Sequence, residues 1–171
     1  KQRRIELWVI ENRSVIIKEA AKRHIARDAI AGAIIWEALK NPKRSFQSRG
    51  WGAGKTHWDT AVYVENLGYM PRLTDANRVK TMESPAGAIA YVAGIMNAYA
   101  TEGEKVTPPY KFRAKPGILA AYFNGVKSLP EVVEGHYFVN LRNAGQEPQL
   151  PNSGMARWVH DNAAYITQVL T

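Results

Sequence analysis

The sequence predicts a mainly α fold, with one loop or short hairpin region between helices. Two observations carry this. Apolar residues recur three and four positions apart through most of the chain, the period of an amphipathic helix. Start and stop signals punctuate those stretches at helical lengths: Ser84-Pro85 opens one, and Asn41-Pro42, Gly68, Gly103 and Gly125 close others.

The elements follow in order. Residues 14–26 carry Ile17, Ala20, Ala21, His24 and Ile25 at helical spacing and read as a first helix. Asp28 can cap a second, strongly apolar helix that Asn41-Pro42 stops. Residues 43–55 are polar and Gly-rich, and read as a loop or short hairpin. Thr56 with Asp59 three residues on has the capping-box pattern, and the helix it starts runs through Val62, Val64 and Leu67 to Gly68. Residues 69–83 read as irregular. Ser84 caps a long helix, through Ile89, Val92, Ala93, Met96 and Tyr99. Thr107-Pro108-Pro109 breaks the chain, and 116–124 form a short helix. Residues 126–152 are rich in Pro, Gly and Asn, with a strand read at 136–141. Ser153 begins a last amphipathic helix through Met155, Trp158, Val159, Ile166 and Leu170. No repeat or linker divides the chain, so residues 1–171 read as a single domain.

Composition narrows the classes. The chain has 171 residues, 46% of them hydrophobic, enough for one full core. No apolar run approaches the roughly 20 residues a transmembrane helix needs, so no transmembrane segment is expected. No secretion signal is visible, and the chain begins at Lys1 without methionine. The expectation is a domain excised from a longer protein. Cysteine is absent, which excludes disulfides, thiol catalysis and cysteine-ligated zinc. His24, His57, His136 and His160 lack metal-ligand spacing, so no metal and no cofactor is expected.

The formal net charge is +8, and it is unevenly placed. Residues 1–27 hold eight Lys and Arg against three Glu, and 40–55 hold five cations and no acid. Such a surface suits an anionic partner: nucleic acid, an anionic membrane or an acidic wall polymer.

Glu37 is the first candidate for chemistry. It lies in the last turn of the apolar second helix, on one stripe with Ile30, Ala33 and Ile34. Desolvation there, with the negative end of the helix dipole, is expected to raise its pKa, as a general acid near neutral pH requires. The Gly52-Ala-Gly-Lys-Thr56 run resembles the tail of a phosphate-binding loop, but Arg49 stands where that loop needs glycine and no apolar strand precedes it. Nucleotide binding is rejected; the glycines allow a tight turn or close approach of backbone to a substrate. Trp51, Trp58, Tyr91, Tyr110 and Tyr122 are aromatics able to stack on sugar rings, although most such residues fill cores.

Three landmarks in order resemble the lysozyme-like superfamily, especially goose-type lysozymes and lytic transglycosylases. A helix ends in the candidate glutamate, Ala31-Gly-Ala-Ile-Ile-Trp-Glu37. A Gly-containing segment follows at Gly50-Trp-Gly-Ala-Gly54, where many members have Gly-Leu-Met-Gln. Later, Ala121-Tyr-Phe-Asn-Gly125 resembles Ala-Tyr-Asn-x-Gly. The likeness spans about residues 28–170, with the first helix as an addition, and it implies an α+β lysozyme-like fold: helices around a central helix, here 86–100, with a small loop or hairpin region bordering a substrate cleft. The glutamine of the second motif is missing, leaving Gln47 as a substitute, and Asn124 is displaced by one position relative to Tyr122.

The resemblance implies a muramidase cleaving the β-1,4 bond between N-acetylmuramic acid and N-acetylglucosamine, with Glu37 as general acid. Asp59 or Glu65 would supply a second carboxylate for hydrolysis; for Asp59 the capping position is the favoured explanation. With one carboxylate, the muramic 6-hydroxyl attacks instead, as in the transglycosylases. Substrate contacts are expected from Gln47, Trp51, Gly52, Gly54, His57, Tyr91, Tyr122 and Asn124. The look is that of phage endolysins and secreted antibacterial effector toxins, acting in the bacterial periplasm or cell wall. Peptidoglycan glycan strands are then the partner, with a cognate immunity or inhibitor protein expected by analogy and no nucleic acid. The rival from another class is a non-catalytic basic helical module binding nucleic acid or anionic wall polymer.

Overall fold

The computed structural model describes residues 1–40 and 50–171, so Gln47 lies outside the described residues, and Trp51 is described in its backbone alone. The described chain is mainly helical. Its elements are α1 (Gln2–Arg23), α2 (Arg27–Lys40), β1 (Gly50–Trp51), β2 (Thr56–His57), α3 (Trp58–Asn66), α4 (Asp75–Glu83), α5 (Pro85–Glu104), α6 (Pro116–Phe123), α7 (Leu129–Val133), α8 (Tyr137–Asn143), α9 (Gly154–Asp161) and α10 (Ala163–Leu170). Among the described residues, no helix is long and apolar enough to cross a membrane.

The central helix is α5. Ser84 Oγ accepts a hydrogen bond from the Gly87 N–H at 3.0 Å, and Pro85 occupies the first turn, where its missing N–H costs nothing. From Ile89 to Ala100 nearly every α5 residue is buried, on all faces, which identifies a helix enclosed by others rather than one lying on a surface. It packs against α1, α2, α3, α4, α6 and α7. The second enclosed helix is α2, buried without interruption from Ala29 to Ile35. Its last turn, Trp36 to Leu39, is half-buried, so the helix leaves the core at its C-terminal end.

Four readings of the sequence are corrected. The first helix begins at Gln2, not near 14, because Val9, Ile16 and Ala20 continue one buried stripe that the charges between them obscure. Residues 69–83 are not wholly irregular: Thr74 Oγ1 accepts from the Asn77 N–H at 3.3 Å and starts α4, whose buried side is only Arg78 and Met82, too thin for a periodic signal. The strand read at 136–141 is helix α8. Its Phe138 enters an aromatic cluster with Tyr110, Phe112, Tyr122 and Tyr137, and that packing overrides β propensity. The last helix is two, α9 and α10, divided at Asn162, whose side-chain amide donates to the Trp158 carbonyl at 2.8 Å.

Candidate active site

The site is built where α2 leaves the core. Beside it sits the β1–β2 hairpin, antiparallel with Gly50 opposite His57 and Trp51 opposite Thr56. The Lys55 N–H donates to the Gly52 carbonyl at 3.2 Å and closes the turn. Gly52 has φ of +68°, and a Cβ there would stand 2.0 Å from the Met82 carbonyl oxygen. At Gly54 a Cβ would stand 2.2 Å from Val92 Cγ2 of α5. These glycines therefore seat the hairpin against α4 and α5. Their missing side chains face the protein, not a substrate.

Strand alternation then sends Thr56 inward, at 3% exposure, and His57 outward. Glu37, Gly54, Thr56, His57 and Asn124 line one cavity of about 70 Å³, closed on other sides by Thr60, Ile95 and Phe123, with Lys55 at its edge. With about 30 Å³ per water, this is a recess for one small polar group rather than for a sugar ring. Glu37 is its only carboxylate among the lining residues. The segment 41–49 contains no Asp or Glu to add another.

Thr56 Oγ1 is buried and has no hydrogen-bond partner. Such an orphan hydroxyl costs about 1–3 kcal/mol, which a ligand group reaching the recess would offset. Sequence reasoning missed this residue, because the capping-box pattern gave it a different task. That box does not form: α3 starts at Trp58, its cap position is His57, and no side chain caps it. Two-residue alternation after a Gly-rich turn was the available signal.

The other candidates divide. Gly54, His57 and Asn124 come together with Glu37. Asp59 is exposed in the first turn of α3 and does not line the recess. Glu65 is not placed for catalysis. At 2% exposure it accepts from Arg78 Nε at 2.6 Å, Arg78 Nη2 at 2.7 Å, the Tyr91 hydroxyl at 2.6 Å and the Leu73 N–H at 3.1 Å. Burial alone would raise its carboxyl, but the bonds from Arg78, Tyr91 and Leu73 outweigh burial and hold it below the ordinary glutamate range. The same contacts push Arg78 up, and burial followed by Glu65 pushes Tyr91 up. Tyr91 is thus part of this internal network, not a sugar platform. Tyr122 is also interior, stacked on Tyr99 with ring centres 5.3 Å apart and edge-on to Phe138. Tyr110 is buried too, donating to the Gln146 carbonyl. Trp58 carries the Arg78 guanidinium over its ring at 4.8 Å.

Among the described residues, no group of three or more His, Asp or Glu is gathered to hold a metal ion. The chain matches no protein-family model, no curated protein and no solved structure.

Proposed function

We propose that the chain is a peptidoglycan-cleaving muramidase in which Glu37 delivers the proton to the leaving oxygen of the glycosidic bond. One observation carries this reading: a half-buried carboxyl at the end of a buried helix shares a recess with an unpartnered buried hydroxyl. Lys55 lines the recess and the exposed Lys40 ends the helix that carries Glu37, which suits an anionic wall polymer in the periplasm or cell wall.

The lining favours chemistry with one carboxylate. Glu37 protonates the glycosidic oxygen as the bond to C1 of muramic acid breaks. The resulting carboxylate then accepts the proton from the muramic 6-hydroxyl while O6 bonds to C1. The products are a free 4-hydroxyl on N-acetylglucosamine and a 1,6-anhydro muramic end, with no water consumed. In this reading a small polar substituent of the sugar enters the recess and engages the Thr56 hydroxyl.

The test is loss of turbidity of purified peptidoglycan with wild type and Glu37→Gln, followed by mass spectrometry of the released fragments. Lysis by wild type alone, with anhydro ends, is expected. Reducing ends would replace the single-carboxylate step by hydrolysis. A basic binding module would instead show salt-sensitive binding and release nothing.

A further inference from the structure

A second, larger groove adjoins the Glu37 recess, with a volume of about 610 Å³. Its walls are Arg4, Ile5 and Trp8 of α1, Ile34 and Ala38 of α2, and Ala53 and Lys55 of the hairpin turn. Lys55 borders both spaces, and Ala38 follows Glu37 directly in α2. The two therefore lie side by side on one face. Helix α1, which lies outside the stretch resembling lysozymes, supplies a whole wall.

The lining has a particular chemistry. Lys1, Arg4 and Lys55 are cationic, and every other described lining residue is apolar. Arg4 is exposed and enters no ion pair among the described residues. Among the described lining residues a sugar ring finds no Asn, Gln, Asp, Glu, Ser or Thr side chain to accept its hydroxyl protons, since Lys and Arg only donate. A chain with free carboxylates and small apolar side chains finds both of its needs met.

We propose that this groove holds the peptide arm that muramic acid carries next to the scissile bond. The inference rests on the muramidase reading and adds a requirement that the glycan alone does not meet. A polyphosphate wall polymer would engage the cations without using the apolar floor.

The experiment uses the full chain carrying Glu37→Gln, so that the probe survives. By calorimetry, a soluble disaccharide pentapeptide should bind about tenfold or more tightly than the same disaccharide without peptide, the worth of one charge-assisted hydrogen bond. Arg4→Glu, at an exposed position and so without effect on the melting temperature, should erase that difference and leave binding of the bare disaccharide unchanged. Trp8→Ala should reduce it, provided its melting curve stays cooperative. Equal affinity for the two probes, or an Arg4→Glu protein with the ratio intact, overturns the groove. An effect of Arg4→Glu without any effect of a folded Trp8→Ala overturns it too, because the apolar floor then takes no part in holding the peptide. Cleavage of whole peptidoglycan by wild type with no peptide preference would keep the muramidase and sink the groove. Peptide-dependent binding with no cleavage would sink the muramidase and keep the groove.

Discussion

Glu37 and Glu65 both lie near the C-terminal end of a helix, and their surroundings differ in kind. Glu65 is sealed, and four donors fill both of its oxygens. With its acceptor capacity taken, it has nothing to offer a substrate. Glu37 is half-buried and opens on a recess that contains an unsatisfied hydroxyl. Burial alone does not make a catalytic acid. What separates the two is whether the side chain borders a space that a substrate group can enter.

The largest effect expected from breaking this contrast is at Glu37. Glu37→Gln keeps the shape of the side chain and removes the transferable proton, so lytic activity should fall about 10²- to 10⁴-fold. Thermal stability should stay nearly unchanged or rise. A variant that still lyses peptidoglycan, or one that unfolds, would make Glu37 a second structural glutamate.

Arg78→Ala is the complementary change. It leaves Glu65 at 2% exposure with its main partner gone, and breaking one side of a buried pair costs about 3–5 kcal/mol. Arg78 also donates to Asp75 and to the Leu73 carbonyl, so the loss reaches the start of α4. Denaturant unfolding would measure it. A cost under about 1 kcal/mol would mean that the network does not hold α3 to α4 and α5.

These two residues also mark what the sequence could and could not reveal. Both glutamates follow apolar helical stretches, and only periodicity was available to rank them. It placed Glu37 correctly in the last turn of an apolar helix, since Ala29 to Ile35 form an unbroken buried run. The caps at Ser84-Pro85 and the stop at Gly125 were equally legible, because local backbone chemistry dictates them. The partner of Glu65 was not. Arg78 lies 13 residues on, in a segment with only two buried side chains, so nothing local announced α4 or the ion pair. Phe138 was misread for the same reason, because its helix is set by rings contributed from α6 and from the segment before it.

Thr56→Val sharpens the comparison from the other side, because its two effects have opposite signs. Valine has nearly the shape of threonine and removes the buried orphan hydroxyl, so stability should rise by about 1–3 kcal/mol. Activity should fall by about tenfold if the hydroxyl binds the sugar, the equivalent of one hydrogen bond. Thr56→Ser should restore activity. A valine variant that is both more stable and fully active would leave Glu37 without its neighbour in the mechanism.

The smallest effect is a difference in pH dependence. The Glu65 carboxyl lies below its ordinary range in the folded protein, so the unfolded chain binds a proton first as the solution is acidified. Its contribution is therefore fully present above the unfolded value of about 4.3 and is lost as pH falls through the lower folded value. Melting curves of wild type and Glu65→Gln should differ most at neutral pH and converge in acid. A gap that stays constant down to the acid limit would remove the ion pair as its cause. A general acid behaves in the opposite direction, since it stops working once pH rises far enough to strip its proton. Lytic rate per folded molecule should then decline on the alkaline side, where the Glu65 network is intact. If that rate climbed with pH instead, Glu37 would be acting as a base or as a bystander, and proton delivery would have to come from elsewhere in the recess.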